Sequence, residues 1–584
     1  MLSEELWEAF KFRTMSFNFF SRERTLIFLV MFLAAVLLSK LFFVQVVRSE
    51  AYSDRADRQY VTPASDIFER GTIYFTKKDG GLVSAAAQAS GYKVAIAPGK
   101  LKDPESVYRK ISTVFNLNKE SFLANAGKIN DPYEEVADRL TREEADAVSS
   151  LNLKGVSVYK EKWRVYPGKN LASHILGFVG YIGNSLAGRY GLEREYQDIL
   201  SRGKNDPYVN FFAEVFSNIN GALLGGRNME GDLITSIEPE VQGFLEKTLE
   251  GVMEKYKADS AGGIIMNPKD GSIYAMAARP DFDPNNFAEA KNNKVFSNPL
   301  VENVFEFGSV VKPLVMAAAL DKGVVTPETT YYDPGHVTVD KKIIYNFDKK
   351  GRGTADMQKV LTESLNTGMV FVSSKLGREN MRDYMLAYGI GKKTGIDLPN
   401  ETSGLVSNLS SPRDIEYANA AFGQGIAFTP IELLRGLSSL VNGGELVVPH
   451  LASEIKYDNG LSKNMSYTPS QAKISAKTSE VITQMLVNVM DKGVNKNDPA
   501  GLSHYSIGVK TGTAQIPDPA TGGYYQNRYM HSFFGFFPAY NPRFIIFLYA
   551  KDPKGVQYSS ETWTSPFESI VKFLINYYQI PPDR

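Results

Sequence analysis

Cysteine is absent from the 584 residues. That excludes disulfides, a thiolate nucleophile and any cysteine-ligated metal. Histidine is scarce: His174, His336, His450, His504 and His531 are scattered, and no pair has metal-ligand spacing on a helix. A Ser-His-Asp relay and a zinc hydrolase are both disfavoured. Net charge is missing too. Lys plus Arg and Asp plus Glu balance at 65 each, without the basic excess of a nucleic-acid binder.

One long apolar run breaks the composition, Thr25 to Val47, TLIFLVMFLAAVLLSKLFFVQVV. At about 1.5 Å per residue it crosses a hydrocarbon layer of roughly 30 Å. Its only charge, Lys40, is placed to snorkel or to face a partner in the bilayer. The run is longer than the roughly 7–15 apolar residues of a cleaved signal peptide, and an uncleaved anchor is expected. Lys11, Arg13, Arg22 and Arg24 precede it, while Arg48, Arg55 and Arg58 follow. This slight bias puts the N-terminus in the cytoplasm and the bulk of the chain outside.

The length suggests roughly three or four domains. From about Arg48 to Asn228 short strand and helix patterns alternate with polar breaks. Glu69 to Tyr74, Trp163 to Pro167 and Gly188 to Glu193 read as structural turns and ion pairs. Tyr208 to Leu224 is apolar for a linker and reads as buried packing. Near Ile234 the pattern changes. Val241 to Tyr256 is helical, and Gly262 to Asn267 and Ser272 to Ala278 are strands joined by the turn Pro268-Lys269-Asp270-Gly271. After a helix-rich region, strands return at Ser506 to Thr513, His531 to Phe537 and Arg543 to Ala550, and a helix from Pro566 to Tyr578 follows. The expected fold is an antiparallel sheet of two early and three late strands around a helical insert.

The insert opens with FEFGSVVKPLVMAAALDKG, Phe305 to Gly323. A helix starting there puts Ser309 at its positive end and Lys312 on the same face. Pro313 is tolerable in a first turn, whose N–H groups have no intrahelical partner. A serine needs a base in reach, and a buried neutral amine can serve. The spacing alone is weak, because Ser90, Ser157, Ser201, Ser453, Ser470 and Ser569 also stand three residues before a lysine. Two downstream elements single out Ser309. Ser364-Leu365-Asn366 offers a hydroxyl to relay a proton and an amide to orient a substrate. Lys510-Thr511-Gly512-Thr513 follows the apolar run Tyr505 to Val509. On a strand edge it presents a cation, two hydroxyls and, at Gly512, room for a ligand backbone. A nearby Lys510 ammonium and burial would depress the Lys312 pKa. Lys393-Thr394-Gly395 repeats the tripeptide in what reads as a loop, and Ser150-Leu151-Asn152 repeats the middle motif in the wrong region.

With these motifs in this order the chain resembles a class B penicillin-binding protein, a serine acyltransferase carrying this motif set. The resemblance also includes Arg70-Gly71-x-Ile73, Arg164-x-Tyr166-Pro167, Gly191-Leu192-Glu193, Gly423-Gln424-Gly425 and Thr429-Pro430. It is most similar to the division-specific transpeptidases through Thr326-Pro327, Asp333-Pro334-Gly335 and Gly535 to Ala539. Phe307, where the family has proline, and Leu365, where it has serine, depart from the pattern. The resemblance implies an α+β chain. Residues 1–24 would be a cytoplasmic tail, 25–47 a transmembrane helix, 48–230 an elongated mixed α/β pedestal and 231–584 a β-lactamase-like transpeptidase domain. It implies catalysis by Ser309, Lys312, Ser364, Asn366 and Lys510, with substrate held by Lys510, Thr511, Gly512 and Thr513. No metal or organic cofactor is implied. The implied partners are stem peptides ending in D-Ala-D-Ala, β-lactams, the membrane and a SEDS-type glycan polymerase among division proteins. A carboxypeptidase or β-lactamase, and a non-catalytic sensor or division scaffold, are the alternatives.

Overall fold

The computed structural model describes residues 30–37, 40, 69–183, 185–202, 230–290, 292–494 and 500–584. Of the expected anchor only residues 30–37 and 40 are described; they are helical and exposed. The apolar stretch 208–224 lies outside the described residues. Among those described, no helix is long and apolar enough to cross a membrane.

The chain divides into two compact units, Met1–Asp66 with Gly91–Glu161, and Ile67–Ser90 with Lys162–Arg584. In the first, residues 92–96 pair antiparallel with strand Glu134–Leu140. Ile96, Val107, Ile111, Phe122 and Ala126 form one of its small cores. Its helices are capped as their sequences dictate. Asp103 and Asn118 accept from the backbone N–H groups of Ser106 and Ser121, and Thr141 and Glu144 close a capping box.

The larger unit carries the catalytic sheet. Helix α1 (Pro239–Tyr256) starts with Glu238 accepting from Val241 N–H and Pro239 in the first turn. Strands β1 (Ser260–Met266) and β2 (Ile273–Arg279) form the expected hairpin. The insert contains α2 (Lys312–Asp321), α3 (Met357–Thr362) and α4 (Asn366–Leu376). Then come α5 (Ala476–Val489), β3 (Gly508–Asp518), β4 (Gly523–Phe537), β5 (Phe544–Lys551) and α6 (Ser559–Tyr578). The sheet order is β2-β1-β5-β4-β3, so the last-made β5 inserts beside β1 and β3 is left at an edge. Residues Phe544 to Ala550 of β5 are all buried, as expected for a strand covered on both faces. Helix α2 is buried at every position from Lys312 to Ala319 and forms the axis of the insert.

Helix α6 begins seven residues before Pro566, where proline was expected to start it. Glu561 accepts from Gln557 and Tyr558 N–H, and Trp563 and Phe567 are fully buried. That capping and burial offset the helix bond that an interior proline removes. A second sheet joins distant segments of the same unit. Gly231–Thr235 pairs parallel with Ile73 and Tyr74 and antiparallel with Ala452–Tyr457. Beside it Glu193, fully buried, accepts from Arg70 Nε at 2.5 Å, Arg164 Nε at 2.6 Å and the Tyr166 hydroxyl at 3.2 Å. These are the turns and ion pairs read from the middle of the sequence.

Candidate active site

The nucleophile candidate lies on a 3-10 turn, Gly308–Val311, that feeds directly into α2. Gly308 has φ +65°, and its N–H donates to Gly423 O at 3.1 Å. A Cβ on Gly308 would lie 3.0 Å from Thr513 O, and one on Gly423 would lie 2.1 Å from Gly308 O. Only glycine permits both the left-handed turn and that backbone contact. Within the turn Gly308, Val310 and Val311 are buried, and Ser309 is the residue that faces the cleft.

One turn on, Lys312 is fully buried. Its Nζ donates to Ser364 O at 2.6 Å, Ser364 Oγ at 3.1 Å and Asn366 Oδ1 at 2.9 Å. Ser364 sits between α3 and α4 with φ +53° and presents both its carbonyl and its hydroxyl to the amine. Such a conformation in a non-glycine residue is held by its surroundings and is common at functional sites. From the sheet side Lys510, 1% exposed, donates from Nζ to the same Ser364 Oγ at 3.0 Å and to Thr511 O at 3.1 Å. Among the described residues neither amine has a carboxylate within ion-pair distance. Burial, and then the Lys510 charge, push Lys312 well below the usual lysine range. Burial alone brings Lys510 down to about 7. Two lysines therefore share the hydroxyl of Ser364, which lines the same cleft as Ser309, and neither is held firmly in its charged form.

Strand β3 makes the opposite wall. Thr511 and Thr513 line the cleft, while Lys510, Gly512 and Ala514 are buried, in the two-residue alternation of a strand. As an edge strand, β3 keeps backbone groups free for a ligand. Thr513 Oγ1 accepts from Ser559 N–H at 3.0 Å, which fixes the start of α6 against it. Gly512 differs from the expectation. A Cβ there would lie 2.4 Å from Phe307 O and 2.3 Å from Ser532 Oγ, so its missing side chain makes room for the nucleophile turn rather than for a ligand.

The cleft encloses about 1350 Å³ and includes Ser309, Ser364, Asn366, Gln424, Thr511 and Thr513. Ile343 and Tyr345, from a hairpin of Lys342–Tyr345 with His336–Val339, and Phe347 just beyond it rim the cleft, and each is 44–52% exposed. The Phe347 ring meets Tyr558 edge-on, with centroids 5.6 Å apart. This rim was not anticipated from the sequence, where its signal is the short apolar run Ile343-Ile344-Tyr345-Asn346-Phe347. Phe307, where proline was expected, is fully buried against Phe547 at 4.9 Å, beneath the nucleophile turn.

Seven of the eight expected site residues converge on the cleft or its buried wall; Gly512 packs behind it. The repeats do not join them. Thr394 donates from its hydroxyl to Glu401 at 2.6 Å, and the N–H groups of Thr394 and Gly395 donate to the same carboxylate in a loop. Ser150 to Asn152 belong to the other compact unit. His531 is opposite Thr513 in the sheet, but its ring nitrogens are occupied by Thr562 Oγ1 at 2.8 Å and Gln557 O at 3.1 Å.

A serine that shares a cleft with two lysines lacking a carboxylate partner among the described residues, at the edge of an antiparallel sheet, is equipment suited to a serine acyltransferase that uses an amine as base. Residues 261–572 match the penicillin binding protein transpeptidase domain, and residues 68–210 the penicillin-binding protein dimerisation domain. The chain belongs to the penicillin-binding protein transpeptidase family, in its class B. It is 31% identical to stage V sporulation protein D of Bacillus subtilis over 93% of this chain and 84% of that protein. It is 27% identical to peptidoglycan D,D-transpeptidase FtsI of Buchnera aphidicola over 97% of each. Its fold is similar to that of penicillin binding protein 3 from Mycobacterium tuberculosis complexed with aztreonam. That likeness has a TM-score of 0.66 and 20% identity over 88% of this chain and 98% of that one.

Proposed function

We propose that Ser309 carries the acyl group in peptidoglycan cross-linking, with Lys312 as its base. The chain is a serine-type peptidoglycan D,D-transpeptidase. The observation that carries the site assignment is the convergence of Lys312 and Lys510 on Ser364 Oγ beside Ser309. A protonated Lys312 would spend all three N–H donors on Ser364 and Asn366. A neutral one has two donors and a lone pair, and its depressed pKa makes that form accessible.

Ser309 Oγ loses its proton to Lys312 as it bonds to the penultimate D-Ala carbonyl of a stem peptide. The N–H groups of Ser309 and Thr513 hold the resulting oxyanion. The peptide C–N bond then breaks, and the leaving D-Ala nitrogen takes a proton delivered through Ser364. An amine from a neighbouring stem attacks the ester, loses its proton along the same path and releases Ser309 with the cross-link made. Lys510, Thr511 and Thr513 bind the donor's terminal carboxylate, and Asn366 aligns the peptide. β-Lactams acylate the same serine, consistent with the aztreonam complex of the structural neighbour.

We place residues 25–47 in the membrane as a single-pass anchor below a 48–230 pedestal, with 231–584 outside the cell. A septal role beside a SEDS-type polymerase follows from the family resemblance.

Labelling the full chain in membranes with fluorescent penicillin, then mapping the modified residue, tests this reading. Ser309→Ala should abolish the label, and Ser453→Ala and Ser569→Ala should keep it. Lys510→Ala should slow acylation about 10²-fold, the scale of one transition-state contact, whereas Lys393→Ala should not. Label that survives in folded Ser309→Ala overturns the site, and a full-length protein that washes free of membranes overturns the anchor.

A further inference from the structure

A buried carboxylate outside the serine and lysine motifs is hydrogen-bonded to the segments that reach the partners of Lys312. Asp333 ends the strand Thr330–Asp333 and is 1% exposed. Among the described residues no basic side chain forms an ion pair with it; the Arg352 guanidinium pairs with Asp348 and Glu363 instead. A carboxylate buried without a cation is costly and persists only where donors surround it. Asp333 has four such donors. Oδ1 accepts from Gly335 N–H at 2.9 Å and Thr367 Oγ1 at 2.8 Å. Oδ2 accepts from Arg352 N–H at 3.1 Å, and Asn346 Nδ2 reaches both oxygens at 3.1 and 2.9 Å.

The residues it grips are next to the reacting amine. Asn346 Oδ1 accepts from Thr367 N–H at 3.2 Å, and one residue earlier on each segment Tyr345 O accepts from Asn366 Nδ2 at 3.0 Å. Residues 345–346 are thereby zipped to 366–367, and Asp333 holds both sides through Asn346 and Thr367. With its Nδ2 committed to Tyr345 O, the Asn366 amide has Oδ1 left to accept from Lys312 Nζ at 2.9 Å. Release of the Tyr345 carbonyl would let the amide turn its NH2 toward Lys312, which takes an acceptor away from the ammonium and puts a donor against the lone pair that must take the serine proton.

We propose that Asp333 is a positioning residue for the acylation step, acting through Asn346, Thr367 and the Tyr345 carbonyl to fix the Asn366 amide on Lys312. The proposal rests on Ser309 and Lys312 being nucleophile and base. Lys510 is the charged group that faces Lys312, and it is untouched by the substitution.

Asp333→Asn keeps the shape but offers one oxygen where four donor groups had two. Second-order acylation of the full chain by fluorescent penicillin, measured against pH, reads the effect. Misplacing the base is expected to lower the maximum of the pH profile about tenfold. Losing an acceptor of the ammonium should also move the ascending limb down by about one pH unit. Thr367→Val removes one donor, leaves the rest of the loop intact and should give a smaller change in the same direction. It decides the matter if Asp333→Asn does not fold. Acylation within about twofold of wild type, or a lower rate with the limb unmoved, overturns the proposal. Wild-type protein that is not acylated at Ser309 would instead sink the underlying mechanism.

Discussion

Replacing Gly512 by alanine separates two roles for a glycine beside a reactive serine. Its Cβ would arrive 2.4 Å from Phe307 O, against roughly 3.4 Å for an ordinary contact. Phe307 O is backbone, already fixed by Ser532 Oγ at 2.8 Å, so no side chain can swing away. The turn two residues before Ser309 must back off by about 1 Å, and a displacement of that size at a reacting atom is worth about 10²-fold in rate. Overpacking should also lower stability by about 1–3 kcal/mol. The assay is the acylation time course at several penicillin concentrations, which separates non-covalent affinity from the acylation constant. A displaced nucleophile lowers the acylation constant with affinity little changed. If Gly512→Ala weakens affinity and leaves the acylation constant intact, the glycine serves the ligand and our reading of its packing is wrong.

Acylation should require Lys312 neutral and Lys510 charged. The second-order rate should therefore rise from acid as Lys312 loses its proton and fall above about 7 as Lys510 loses its own. A rate still climbing well above that pH would refute the assignment of Lys510 as the carboxylate-binding cation. Away from the cleft, Glu193→Gln should destabilise the fold by about 3–5 kcal/mol, because two buried guanidiniums lose the one carboxylate that pairs with them among the described residues. Burial alone would raise Glu193, but Arg164 and Arg70 overcome it and hold it below the usual range. In the wild type that contribution is complete above the ordinary carboxylate pKa of about 4 and fades as pH falls through the depressed value. Denaturant unfolding at neutral and acid pH checks both statements, and an unchanged midpoint in the variant refutes them.

Local chemistry was legible in the sequence, and long-range register was not. Ser309, Lys312, Ser364 and Lys510 are residue types that nucleophilic chemistry needs, and their flanking strand and helix patterns told them apart from the copies at 393 and 150. The hairpin β1–β2 and the three late strands were read from apolar runs and turns. Missing was what depends on pairing across the chain. Lys312 spends its hydrogen bonds on Ser364 and Asn366, and Gly512 yields to Phe307. Asp333 is joined to Asn346 and Thr367 by a loop whose apolar rim has no helical or long-strand period. The pairing of Ile73–Thr76 with Gly231–Thr235 is another case, since nothing within either segment identifies its partner. Pro566 misled for a simpler reason, because a helix with enough buried surface outlasts the rule against proline.

The insertion of β5 beside β1 has a consequence in time. Ser309 is synthesised about two hundred residues before Lys510, a gap on the order of 10–40 s at ordinary rates of chain elongation. Until β5 arrives, β1 is paired only with β2 and its other edge is open. Lys312 then lacks the β3 wall and the Lys510 charge, which together with burial holds its pKa down in the folded chain. With Ser309 as the nucleophile, its base is completed only when the sheet closes, and a nascent chain is expected to react with penicillin only after that point.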